Sequence, residues 1–229
     1  FKRLDSINKG KRDCKLYSVG RTPHQHRLDL VDFFETEKFT DEEVLYSALW
    51  KDKRIDEKYH WPESGESGVN HGSNDFDITS YNQNPYNHVY CEIVTETIFD
   101  NSATQISDKP YKPILNYLPF IYVTSFGGLN DLKSMGYESF DFIDESYDDI
   151  KDCSKRLEKI KKEILRFAKI DKNELHYIYN SNIPTFLHNR EVYLKNNTTR
   201  IKAMFESIID DWKNNEKCLS ITNKLPTRS

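Results

Sequence analysis

The chain has 229 residues, 37% of them hydrophobic, 31% charged and 13% aromatic, with a formal net charge of −4. That length suits one large domain or a domain with an appendage, and the aromatic share supplies burial that a disordered chain lacks. The acidic balance, with no basic block, gives a nucleic-acid partner no bulk electrostatic support, and the sequence shows neither a signal-peptide pattern nor an apolar run of membrane-spanning length.

The first strand is expected at "CKLYSVG", Cys14 to Gly20, ending in a glycine turn. A helix follows in "RTPHQHRLDLVDFFETEK", with Leu28, Leu30, Val31 and Phe34 at helical spacing, Thr22 as a candidate N-cap and Pro23 at the first helical position. "TDEEVLYSALW" reads two ways, because Thr40 could cap a helix while Val44, Tyr46 and Ala48 alternate like a strand. Lys51 to Asn87 is a long polar stretch, read as a functional loop region or an insertion, in which His60 and His71 look like loop decoration.

"HVYCEIVTET", His88 to Thr97, reads as a buried strand, and it carries Glu92 and Glu96 toward one edge of the sheet or onto its solvent-facing margin. "KPYKPILNYL" reads as a short helix, "PFIYVTS" as a strand, "FGGLNDLKSMG" as a glycine turn with a short helix, and "YESFDFI" as one more strand. From Asp144 the pattern turns helical, with an apolar stripe of Leu157, Ile160, Ile164, Leu165 and Phe167, and further helices are expected over Lys172 to Lys195 and Thr199 to Asn214. Strands alternating with helices predict an α/β fold, a Rossmann-like, mainly parallel sheet with flanking helices and a helical C-terminal extension. The boundary is placed between a sheet domain over 1–170 and an extension over 171–229.

Cys14, Cys91, Cys153 and Cys218 form no CxxC pair, so they read as reduced thiols of an intracellular, cytoplasmic protein. Asn196 and Asn197 begin formal glycosylation sequons, a pattern that arises often by chance.

In an open parallel sheet, ligands bind beyond the carboxyl ends of the strands. Three segments fall there. Arg21 sits in the turn after the first strand, with His24, His26 and Arg27 in the first turn of the helix, where cations oppose the helix dipole unless an anion binds. Plain surface residues are the alternative, and the two histidines make a weak metal site. In "SDKPYKP", Ser107 or Asp108 can cap a helix, but Lys109 and Lys112 are again cations at its positive end. Gly127 and Gly128 allow close approach to a ligand, or make a tight turn.

Those segments also carry a resemblance. "ETIFDNSATQISDKPYKPILNYLPFIYV" resembles the nucleotide-sugar motif of alpha-1,3-fucosyltransferase-type glycosyltransferases, with Glu96, Asn101 and Ser102 before the triplet Ser107, Asp108 and Lys109. "SDKPYKPI", "PFIYV", "GLNDLKSMG" and "SFDFIDESYDDI", in that order and after "GRTPHQHR", are similar to phage and viral proteins with glycosyltransferase-like C-terminal domains. The resemblance spans Cys14 to Leu165. It implies one half of a GT-B fold that holds a nucleotide diphosphate sugar as donor, with no separate cofactor and no metal. It implies that Arg21, Arg27, Ser107, Lys109, Gly127 and Gly128 bind the donor and that Glu96 and Asp108 are catalytic. Asp108 stands where those proteins carry glutamate, one methylene longer. The acceptor, whether glycan, protein or nucleic acid, is left open. A GT-B enzyme has a second half, so an N-terminal domain before Phe1 or a partner subunit is expected. The alternative from another class is a non-catalytic virion or structural interaction module that docks through its helical C-terminal third.

Overall fold

The computed structural model describes residues 7, 9–20, 22–48, 84–103 and 106–222. Arg21, most of the polar stretch from Lys51, and both His60 and His71 lie outside the described residues.

Four strands, β1 (Cys14–Gly20), β2 (Val44–Ala48), β3 (Val89–Thr95) and β4 (Phe120–Val123), form one all-parallel sheet in the order β2-β1-β3-β4. The fold is α/β and Rossmann-like. Strands β2, β3 and β4 are buried along their whole length, as expected of parallel strands covered on both faces. The two readings open for "TDEEVLYSALW" resolve in favour of a strand, because Val44 to Ala48 pair in register with Leu16 to Gly20 of β1.

Helices α1 (Gln25–Glu37), α2 (Tyr111–Leu115), α3 (Gly128–Ser134), α4 (Cys153–Lys169), α5 (Lys172–Ser181) and α6 (Ile183–Thr222) complete the fold. The chain leaves β1 for β2 in one direction and β3 for β4 in the other. Right-handed crossovers then send α1 and α2 to opposite faces of the sheet. Helix α1 packs against α4, and α4 against β1 and β4, whereas α5 meets β3, where the Tyr90 ring lies edge-on to Tyr179 at 6.1 Å. The strand order reverses between β1 and β3, so their carboxyl ends flank the topological switch point of the sheet.

Two local expectations are overturned. Tyr137 to Ile143 is not a strand, because Tyr137, Phe140 and Ile143 are buried at intervals of three and pack as loop anchors. Phe140 meets Phe120, Phe142 and Phe186 with ring centroids at 6.1, 6.0 and 5.7 Å, so the segment lies against the flank of the edge strand without pairing to it. The C-terminal helices also divide elsewhere than expected. Asn182 ends α5, and α6 runs without interruption through Asn196 to Thr199, where the Asn197 amide and the Thr198 and Thr199 hydroxyls all donate to carbonyls four residues back.

The chain divides into two compact units, Phe1–Arg190 and Glu191–Ser229, so α4 and α5 belong with the sheet. Among the described residues no helix is long and apolar enough to cross a membrane.

Candidate functional site at the carboxyl edge of the sheet

Glu96 follows the last residue of β3, and its amide still donates to Val123 O of β4 at 2.9 Å. Strand alternation puts its side chain on the face of Tyr122, and Glu96 is 2% exposed. Oε1 accepts from Tyr122 OH at 2.8 Å and from the Ser107 amide at 3.0 Å, and Oε2 accepts from Lys109 Nζ at 2.9 Å. The Ser107 hydroxyl lies 2.9 and 2.8 Å from the two oxygens, so its single proton serves one of them at a time. Burial pushes the Glu96 carboxyl up, but the bonds from Lys109, Ser107 and Tyr122 outweigh it and hold the group below the usual carboxylate range. Glu96 is therefore a buried, ionised carboxylate with both oxygens engaged. Burial first, and then the Glu96 charge, raise the Tyr122 hydroxyl, which stays protonated as a donor.

Lys109 completes the network. Its ammonium also lies 3.1 Å from Ser107 Oγ, and its side chain is 29% exposed, so the charge is anchored on one side and open on the other. Ser107 does not cap α2. The residue before that helix is Pro110, no side chain caps it, and the Ser107 hydroxyl turns instead to Glu96 and to the Lys109 amide at 3.2 Å. The bare loop-to-helix junction is fixed by a carboxylate from the neighbouring strand. Asp108 is half-exposed and lies 3.4 Å from Lys112 in an i,i+4 pair, outside the Glu96 network.

The other wall of the switch point is the start of α1. His24 occupies the N-cap in an extended conformation and no side chain caps the helix, so Thr22 and Pro23 stand before it and do not begin it. Arg27 is buried. Its guanidinium donates to Thr22 O at 3.2 Å and to Thr95 O and Glu96 O at 3.0 Å each, which joins the β1 loop to the end of β3. The hollow behind it, lined by Ser18, Gly20, Ser47 and Thr95, holds about 10 Å³, room for a single water at most. His26 Nε2 lies 2.9 Å from Glu96 O, a carbonyl that can only accept, so that nitrogen carries the proton. Burial lowers His26 to about 4, against the pull of that bond, and it is neutral at pH 7. His24 is lowered by burial, then by the nearby charges of Arg27 and Lys109, so both cations lie close to the mouth between β1 and β3. Among the described residues no cluster of His, Cys, Asp and Glu could hold a metal ion.

The Gly127–Gly128 turn closes β4 differently. Gly127 is favoured by its left-handed backbone at φ 81°, and Gly128 by packing, because a Cβ there would lie 2.4 Å from Thr124 Cγ2. The start of α3 is occupied by Asp148, whose carboxylate accepts from Leu129 N at 3.1 Å and Asn130 N at 3.1 Å. The Asp148 carboxyl, which burial pushes up against the pull of those two amides, takes the place of an N-cap supplied from a distance.

Sequence reading missed Tyr122, Asp148 and Arg156. Tyr122 lay inside an apolar strand pattern, and its hydroxyl gave no separate signal. Asp148 was one of several acids in "IDESYDDI". Arg156, on α4, is fully buried and donates to Phe99 O, to Ile150 O at 2.7 Å and to Asn101 Oδ1 at 3.3 Å, which fixes the loop leading from Glu96 toward Ser107. A helical arginine amid lysines carries no mark of such a role.

No model of a known protein family, no curated protein and no solved structure matches the chain.

Proposed function

We propose that the chain is the donor-binding domain of a glycosyltransferase, one half of a GT-B enzyme, that holds the diphosphate of a nucleotide sugar on the edge between β1 and β3. The observation that carries this reading is the pair of cations close to the mouth at the switch point. The ammonium of Lys109 is anchored by Glu96 yet open to solvent, it acts on His24 together with Arg27, and the uncapped start of α1 lies beside them. A diphosphate would bridge Lys109 and the first amides of α1, with Arg21 as a further contact.

In this reading Lys109 and the helix start stabilise the negative charge that develops on the departing diphosphate. Glu96, with both oxygens occupied, positions Lys109 and lends no lone pair to a proton transfer. Arg27 and Ser107 hold the two walls together. Asp108, half-exposed at the rim in its pair with Lys112, is the carboxylate that would meet ribose or sugar hydroxyls, and the Gly127–Gly128 turn shapes the far side. The acceptor is supplied from outside this edge. A non-catalytic interaction module is the second reading, favoured by the exposed apolar residues of α6.

Thermal melting of the full chain against a panel of nucleoside diphosphates and their sugars separates the two. A donor domain gains about 2.7 kcal/mol at a ligand concentration a hundred times Kd. Lys109→Met should abolish the gain, while Asp108→Asn should keep it for the plain diphosphate and reduce it for the sugar-bearing ligand. If no nucleoside diphosphate raises the melting temperature, the donor reading falls and the interaction module stands.

A further inference from the structure

The residues from Glu191 onward form a unit of their own, and its described part is a single helix, the distal length of α6. Within that unit the helix has no second described element against which to bury apolar residues. Leu194 is exposed and Phe205 is 57% exposed.

The sequence along this helix follows a seven-residue repeat. Leu194, Ile201 and Ile208 recur every seven positions, and Phe205, Trp212 and Leu219 do the same four positions further on. With Thr198 and Asn215 they make an unbroken seam over 194–219, stepping alternately by four and three residues. A mean step of 3.5 is the period that keeps one narrow stripe facing another helix, whereas a helix lying on a globular body follows 3.6 and a broader stripe. Twenty-six residues make a stripe about 39 Å long.

We propose that this helix pairs, antiparallel, with the same helix of a second copy of the chain. Two features on the sequence select both the occupant and the direction. Placed antiparallel about the midpoint between Glu206 and Ser207, the seam matches itself: Leu194 falls opposite Leu219 of the second copy, Ile201 opposite Trp212, and Phe205 opposite Ile208. The two polar seam positions, Thr198 and Asn215, fall opposite each other in the same register. Thr198 already donates its hydroxyl to Leu194 O at 2.8 Å, so placing it in the seam leaves no unmet donor.

Charge gives the same direction. Residues 194–205 carry Lys195, Arg200 and Lys202 and no acid, while 206–219 carry Glu206, Asp210, Asp211 and Glu216 against Lys213 and Lys217. An antiparallel pair sets the basic half on the acidic half, with Lys195 beside Glu216 of the second copy. A parallel pair would set like on like.

The test is sedimentation velocity on the full chain. A dimer is expected, and Phe205→Lys should raise its dissociation constant by roughly a hundredfold or more, because a lysine would be buried opposite Ile208. The melting temperature of the first unit, which does not contain residue 205, serves as the folding control. Direction is read separately. Asn197→Cys should form a disulfide between copies with the native Cys218 under mild oxidation, and Cys218→Ser should remove it. A monomer at every concentration, a dimer indifferent to Phe205→Lys, or a cross-link that never forms or survives Cys218→Ser overturns the proposal. So does a dimer that strengthens as salt is raised, since the antiparallel pairing of opposite charges weakens with screening.

Discussion

Glu92 and Glu96 stand four positions apart on one face of the same strand, both buried, and the chain keeps them in opposite states. Glu92, in mid-strand, is raised to about 8 by burial, which Lys112 and Tyr86 only partly offset, and its Oε2 has no hydrogen-bond partner. It is a protonated acid at neutral pH. Glu96, at the strand's carboxyl end, is ionised, because there the next loop brings an amide, a hydroxyl and an ammonium within reach. The same side chain on the same sheet is neutral where neighbouring strands surround it and charged where loops meet it. Here the charged pair of Glu96 and Lys109 sits at the carboxyl edge of the sheet, the edge where ligands bind in open parallel sheets.

The contrast can be broken most strongly at Lys109. Lys109→Met leaves Glu96 ionised with no cation, and breaking such a pair should cost about 4 kcal/mol in denaturant unfolding at pH 7. A loss below about 1 kcal/mol would mean that Ser107 and Tyr122 alone support the charge.

The next effect concerns Glu92. Its folded pKa lies above the ordinary carboxylate value, so the unfolded chain releases this proton first as pH rises. The associated stability is complete below about 4.5 and is lost as pH climbs to about 8. Glu92→Gln should remove that decline and stabilise the protein at pH 8 by about 4 kcal/mol. Equal pH profiles for the two proteins between 4.5 and 8 would refute a neutral Glu92.

The smallest effect sharpens the Glu96 side. His26 is lowered to about 4 in the fold, so the unfolded chain takes up a proton first on acidification, and stability falls as pH drops from about 6.5 toward 4. Between pH 6.5 and 5 this amounts to about 2 kcal/mol. His26→Gln, whose amide can still donate to Glu96 O, should flatten that slope. If the slope between pH 6.5 and 5 is unchanged, His26 is not its source; Glu96 and its partners do not supply it either, because their contribution is fully present above the ordinary carboxylate value and is lost only at lower pH.

Strands β1, β3 and β4 and the helices α1 to α4 were legible because apolar runs and turn residues mark them directly. The parallel order of the sheet followed from their alternation with helices. Glu96, Ser107 and Lys109 stand out in the sequence as polar residues at strand and helix ends, and the structure brings the three together. What the sequence hid was how they are joined. The lysine, whose position at a helix start pointed to an external anion, has an internal one, because Glu96 reaches it from a strand that ends 14 residues earlier. Arg27 likewise meets carbonyls remote in sequence. "YESFDFI" misled because an aromatic-rich composition suits a strand and an aromatic-anchored loop equally, and only the lack of a pairing neighbour separates them.

Arg27 has a kinetic consequence. It links Thr22 to Thr95, 68 positions from itself, so the edge between β1 and β3 cannot assemble from local contacts. Loop closure across that span must come first, and such distant pairings slow folding. A chain with β3 and β4 formed but β1 undocked would hold the lysine of the mouth without its helix start. The complete edge, lysine and helix start together, would then form only when β1 docks.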